Sequence, residues 1–135
     1  MKELTLAATL DNIEVVTAFI DEQLEALDCS MKAQMQIDIA IDELFGNIAH
    51  YAYGDDTGTA TVRFDFDEAT RTASIAFIDG GMPFNPLEKA DPDVTLSAEE
   101  RAIGGLGIFM VKKSMDKLEY SHENGYNVLT VHKQI

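Results

Sequence analysis

Residues 60–66 alternate without a break: Ala60, Val62, Phe64 and Phe66 fall on one phase, Thr61, Arg63 and Asp65 on the other. A period of two demands a strand with one buried face and one wet face. Glu68-Ala69-Thr70-Arg71 then turns the chain, and Thr72 to Ile78 reads as a second strand ending at Asp79. A hairpin buried on one side needs an apolar layer to cover it. The preceding residues supply that layer. Asp11 is placed to cap a helix, with Glu14 closing a capping box, and Val15, Val16, Phe19, Ile20, Leu24 and Leu27 recur at helical spacing. Asp21, Glu22, Glu25 and Asp28 fall on its solvated side. Ser30 is placed to cap a second helix reaching Ala52, with Met35, Ile37, Ile41, Leu44 and Ile48 as its stripe.

Shorter elements complete the pattern. Residues 2–8 predict a strand, Leu106 to Met115 an apolar helix, and Lys117–His122 and Asn127–Gln134 two closing strands joined at Asn124-Gly125, a hairpin-turn pair. The order is strand, helix, helix, strand, strand, loop, helix, strand, strand. It predicts an α+β fold, a two-layer sandwich with a mixed, largely antiparallel sheet and helices on one face. A doubly wound parallel sheet is excluded, because strands and helices do not alternate. The 135 residues fit a single domain, 1–135. From Gly80 to about Gly104 periodicity fades, and Pro83, Pro86 and Pro92, all the prolines of the chain, lie there. Long loops of this kind in small domains are usually functional.

Charge narrows the function classes. Ten Lys and Arg against 24 Asp and Glu give a net charge of −14. Non-specific nucleic-acid binding and docking on anionic membranes both need a cationic surface, so neither is expected. Residues 1–60 carry 12 acidic and 2 basic residues, which makes them the candidate docking surface for a basic partner. The single cysteine, Cys29, rules out an internal disulfide and a multi-cysteine zinc site. No 18-residue apolar run and no apolar signal region occur, which predicts a cytoplasmic location. His50, His122 and His132 lack metal-ligand spacing, and Met31, Met35, Met110 and Met115 are expected in the core.

Three segments carry candidate chemistry. Glu43 and Asn47 are four apart on the second helix and share a face. An Asn carbonyl is a hard neutral donor suited to Mg²⁺, and a carboxylate one turn away can take a proton from a nucleophile. A solvated helix face shows the same pattern. Asp79-Gly80-Gly81-Met82-Pro83-Phe84-Asn85-Pro86 follows a strand. An acceptor-only carboxylate there can receive the adenine exocyclic amine, whereas guanine presents a carbonyl at the same edge. Gly81 would let backbone approach the base, and Phe84 could flank it or pack in the core. Gly104-Gly105-Leu106-Gly107 precedes an apolar helix. Backbone N–H groups at such a helix start can cradle phosphate, and a flexible loop junction looks the same in sequence. Neither a P-loop nor a dinucleotide fingerprint is present.

In this order, Glu43-x-x-x-Asn47, Asp79-x-Gly81-x-Pro83-Phe84-Asn85-Pro86 and Gly104-Gly105-Leu106-Gly107 resemble the N, G1 and G2 boxes of the GHKL ATPase superfamily. Asn47-Ile48-Ala49-His50-Tyr51-Ala52-Tyr53 and Met115-Asp116 look like its anti-sigma-factor serine/threonine kinases, and the resemblance spans roughly residues 5–133. It implies a Bergerat ATP-binding fold with a mobile lid at approximately 87–104. Asn47 would ligate Mg²⁺, Glu43 would act as the catalytic base, and Asp79 would bind adenine with Gly81 and Phe84 beside it. Gly104, Gly105, Leu106 and Gly107 would meet the phosphates, and Arg101 would reach the γ-phosphate from the lid. The implied partners are an anti-anti-sigma protein phosphorylated on serine, a sequestered sigma factor and a second copy in a homodimer. A non-catalytic ATP/ADP-binding interaction module is the alternative, and the detached ATP-binding half of a histidine-kinase-like system is a third.

Overall fold

The computed structural model describes residues 1–54, 56–88 and 105–135. Its strands are β1 (Lys2–Ala7), β2 (Thr59–Asp67), β3 (Thr72–Asp79), β4 (Lys117–Glu123) and β5 (Tyr126–Gln134). Its helices are α1 (Ile13–Ala26), α2 (Met31–Asn47) and α3 (Gly105–Ser114). The strands form one sheet in the order β1-β2-β3-β5-β4, and all four pairings are antiparallel. The two-layer α+β expectation is met, and the sheet is antiparallel throughout its described strands.

The strand phases decide which face is covered. Ala60, Val62 and Phe64 of β2, Ala73, Ile75 and Phe77 of β3, and Leu129 and Val131 of β5 are buried together. They pack with Val16, Ile20 and Leu24 of α1, with Ile37, Ile41, Leu44 and Phe45 of α2, and with Ile108 and Val111 of α3. The opposite sheet face is polar. There His132 bridges β3 and β4, with Nδ1 2.7 Å from Ser74 Oγ and Nε2 2.7 Å from Glu119 Oε1. Arg63 and Glu3 pair at 2.5 Å across β1 and β2. The β4–β5 turn uses Asn124 and Gly125, both at positive φ (54° and 84°), as a two-residue turn between right-twisted strands requires.

Both helix starts repay inspection. Ser30 caps α2 as expected, its Oγ accepting from Ala33 N at 3.2 Å. The Asp11–Glu14 capping box does not form. A short 3₁₀ turn, Leu10–Asn12, precedes α1, and Asn12 stands at the cap position without a capping bond. Its Nδ2 donates instead to Ala7 O at 2.8 Å, tying the turn back to β1.

The apolar stripes also need two corrections. Val15 is exposed, and so are Met31, Met35 and Met110, all expected inside; Met115 is buried. Met35 lies two residues from Ile37, about 200° around the helix, so the two cannot share a face. The buried side of α2 is Ala33, Ile37, Ala40, Ile41, Leu44 and Phe45. No helix among the described residues is long and apolar enough to cross a membrane.

Candidate functional site

The chain after Asn47 changes winding. Ile48–Ala52 is a π-helical turn that ends the helix against the loop after β3. Such turns recur where a helix must redirect its last residues near a functional site. Met82 N donates to Ala52 O at 2.9 Å, which fastens that loop to the turn. Gly81 sits in the joint: a Cβ there would lie 2.0 Å from Ala52 O. This backbone approach alone requires a glycine here, independently of any base beside it. Tyr53 adds a second fastening, accepting from Gly80 N at 2.8 Å and donating to Thr59 O at 2.5 Å.

Asp79 continues the inward phase of β3 set by Ala73, Ile75 and Phe77, and so comes to the end of the core face. Directly opposite in register is Asn127 of β5, on the phase of Leu129 and Val131. These two are the buried polar residues among those described, at 6% and 5% exposure. Asn127 is saturated. Its Nδ2 donates to Asp79 Oδ1 at 3.0 Å and to Met82 O at 2.9 Å. Its Oδ1 accepts from Phe84 N at 3.2 Å and from the Tyr120 hydroxyl. Asp79 Oδ1 also accepts from Gly81 N at 3.0 Å. Asp79 Oδ2 has no hydrogen-bond partner among the described residues. The carboxylate is therefore fixed through one oxygen, leaving the other uncommitted.

A shallow cleft, open to solvent, lies beside this pair. Asp79 and Asn127 line it at the sheet end, Asn47 and Tyr51 line it from the helical side, and Leu44, Ile48, Phe77 and Leu129 give it apolar walls. The Asn47 side chain makes no hydrogen bond among the described residues. Phe84 stands at the cleft rather than in the core, 38% exposed, its ring centroid 6.3 Å from that of Tyr51.

The third segment closes on the first. A Cβ at Gly107 would lie 2.2 Å from Glu43 Cδ and Oε2, so the first turn of α3 passes directly over the Glu43 carboxylate. Gly105 and Leu106 belong to the backbone of that turn. Arg101 and Gly104, with most of the expected lid (89–104), lie outside the described residues; Pro86–Glu88 is a 3₁₀ turn. Lys113 Nζ rests 5.3 Å from the Phe109 ring centroid. Cys29 is partly covered, and burial pushes its thiol pKa up, away from reactivity. Among the described residues, no group of three His, Cys, Asp or Glu forms a protein-only metal site. A Mg²⁺ on Asn47 would complete its shell with phosphate and water.

Sequence reasoning overlooked Asn127, Tyr53 and Tyr120. Asn127 was accessible: it occupies the inward phase of β5, where a polar residue calls for a partner. The tyrosines carried no such signal, since their roles depend on the π-turn and on strand register.

The profile of the histidine kinase-like ATPase domain matches residues 6–133. The chain belongs to this family. Among curated relatives, the serine-protein kinase RsbW of Bacillus mycoides (strain KBAB4) is 33% identical over 95 residues, covering 67% of this chain and 58% of its own. RsbW of Bacillus cereus (strain ATCC 10987 / NRS 248) is 32% identical over 93 residues, with the same coverage. The chain thus spans somewhat over half the length of these relatives. The crystal structure of the RsbU and RsbW domains of Rv1364c from Mycobacterium tuberculosis superposes with a TM-score of 0.68 at 17% identity, over 99% of this chain and 32% of that one. That likeness establishes the shared fold. An ATPase-type domain implies nucleotide binding.

Proposed function

We propose that this chain is an ATP–Mg²⁺-binding regulatory serine/threonine protein kinase of the anti-sigma type. The observation that carries the reading is the cleft, where Asp79 keeps Oδ2 uncommitted and Asn47 presents an unused amide against an apolar wall. Asp79 Oδ2 accepts the adenine amine, and Leu44, Ile48, Phe77 and Leu129 cover the faces of the base. Asn47 holds Mg²⁺, which would neutralise phosphate charge when bound. The α3 amides at Gly105 and Gly107 attract phosphate oxygens at a helix start. Glu43, beside that start, takes the proton of a partner serine hydroxyl as its oxygen bonds to the γ-phosphorus and the bond to the β-phosphate oxygen breaks. Arg101 and the 87–104 segment act as lid.

The names of the RsbW relatives support the kinase assignment. The substrate in this reading is a serine on an anti-anti-sigma protein, with a sigma factor as the sequestered partner. The protein works in the cytoplasm as a homodimer. Calorimetry with ATP, ADP and GTP, with and without Mg²⁺, tests the site: adenine preference that depends on Mg²⁺ is expected, and no nucleotide binding sinks the reading. Incubation with γ-labelled ATP and the partner then separates the alternatives. Stoichiometric phosphoserine is expected; tight binding without transfer identifies a non-catalytic module instead.

A further inference from the structure

The α1–α2 hairpin turns an apolar stripe to solvent. Met31, Met35 and Ile39 are 84%, 60% and 53% exposed. They recur at four-residue steps and span about 12 Å along one side of α2. A groove beside the stripe is lined by Glu25, Met31, Gln34, Met35 and Asp38. Asp42, three residues past Ile39, is exposed, and Glu22 and Asp28 are exposed on the α1 side. Between residues 10 and 43 there are nine acidic residues and one basic residue, Lys32. Exposed apolar side chains inside an acidic frame suit a partner that brings apolar and cationic groups together.

We propose that this face docks a cationic amphipathic helix of a partner protein. A helix laid along α2 offers apolar residues at steps of three and four to Met31, Met35 and Ile39. Its flanking Lys or Arg residues meet Glu22, Glu25, Asp28 and Asp42. Methionine, unbranched and polarisable, adapts to partners of varied shape. A second copy of this chain is the wrong occupant: a symmetric contact would set the acidic frame against itself. None of the stripe residues lines the nucleotide cleft. The docking face therefore stands independently of what the cleft binds.

The methionines supply the test. The full chain, labelled at its methionine methyl groups, is titrated with a Leu/Lys amphipathic peptide of about five helical turns. The methyl resonances of Met31 and Met35 should move, while those of Met82 in the cleft and Met110 on α3 stay in place. A scrambled peptide of identical composition should bind roughly tenfold more weakly. The Met35→Ser/Ile39→Ser double variant, on exposed positions, should lower affinity by a similar factor with an unchanged circular dichroism spectrum. Equal shifts from the scrambled peptide, or shifts led by Met82 or Met110, overturn the proposal. So does movement of Met31 and Met35 with protein concentration alone, which would show a second copy on the face. Because Met82 reports separately on the cleft, failure here leaves the nucleotide reading to its own calorimetry.

Discussion

At the scale of single residues, the Asp79–Asn127 pair is a buried polar contact that leaves one carboxylate oxygen without a partner among the described residues. Asn127 uses both donors and accepts two bonds, so its amide has one orientation. That orientation places an N–H on Asp79 Oδ1 and leaves Oδ2 for a ligand. Asp79→Asn exchanges an acceptor for a donor at the cleft with almost no change in shape. Adenine nucleotide affinity should fall by about 1–3 kcal/mol and the preference for ATP over GTP should narrow, both read by calorimetry. Asn127→Asp sets carboxylate oxygens against Asp79 Oδ1 and Met82 O, which are acceptors already. It should lower unfolding stability in urea by about 1–3 kcal/mol. Gly81→Ala tests the backbone joint. With Ala52 O only 2.0 Å from the new Cβ, the loop or the π-turn must shift. A loss of about 1–3 kcal/mol in the same denaturation assay is expected.

At the scale of elements, period and order were readable, while anything set by tertiary approach was not. The phase of β2 followed from alternation alone, because period two leaves no freedom about which residues face inward; β3 and β5 were readable as strands without their phase. Asp79 was found as the residue at the end of the β3 run, where the glycines begin. The α1 start was misread because a capping-box pattern is local, whereas Asn12 is claimed by a carbonyl at the end of β1. A further reason for Gly81 was invisible in the sequence, because the Ala52 carbonyl reaches it through a π-turn that no propensity encodes.

The α1–α2 pairing hides another tertiary effect. Asp21 and Asp38 each bury one carboxylate oxygen that has no hydrogen-bond partner, and the two acids lie close enough to perturb one another. Burial, hydrogen bonding of the protonated acid toward Asp21 and the charges of Asp21 and Glu25 push the Asp38 pKa up to about 7. An acid whose pKa is raised in the folded state holds its proton more tightly there than in the unfolded chain. Its contribution to stability is full below about pH 4 and is lost as pH rises through about 7. Asp38→Asn keeps a donor toward Asp21 without a titrating proton. Its urea midpoint should therefore fall less steeply than that of the parent between pH 5 and 8, and should exceed it at pH 8. Parallel profiles would show that Asp38 does not titrate in this range.

For the whole molecule, the charge of −14 sets the terms on which a nucleotide could bind. ATP is itself anionic, so bulk attraction cannot hold it. Recognition must come from short-range groups: one carboxylate oxygen, one amide, helix-start N–H groups and a metal ion. These groups belong to different layers. Asp79 and Asn127 lie at the sheet end, Asn47 belongs to α2, and Gly107 lies in the first turn of α3 against Glu43. A ligand that touches all of them joins the helical layer to the sheet in the folded state and has no equivalent partner in the unfolded chain. At a hundred times its dissociation constant, it should add about 2.7 kcal/mol to stability. For a domain of this size, that corresponds to a rise in Tm of about 10 °C. Thermal unfolding should show this rise with ATP or ADP plus Mg²⁺, a much smaller one with GTP, and almost none in Asp79→Asn. Asn47→Ala should lose the part that depends on Mg²⁺ while keeping the adenine preference, because the proposed pose sets the two residues at opposite ends of the ligand. If both variants were stabilised as much as the parent, the nucleotide would be bound elsewhere, and the uncommitted oxygen of Asp79 would need another explanation.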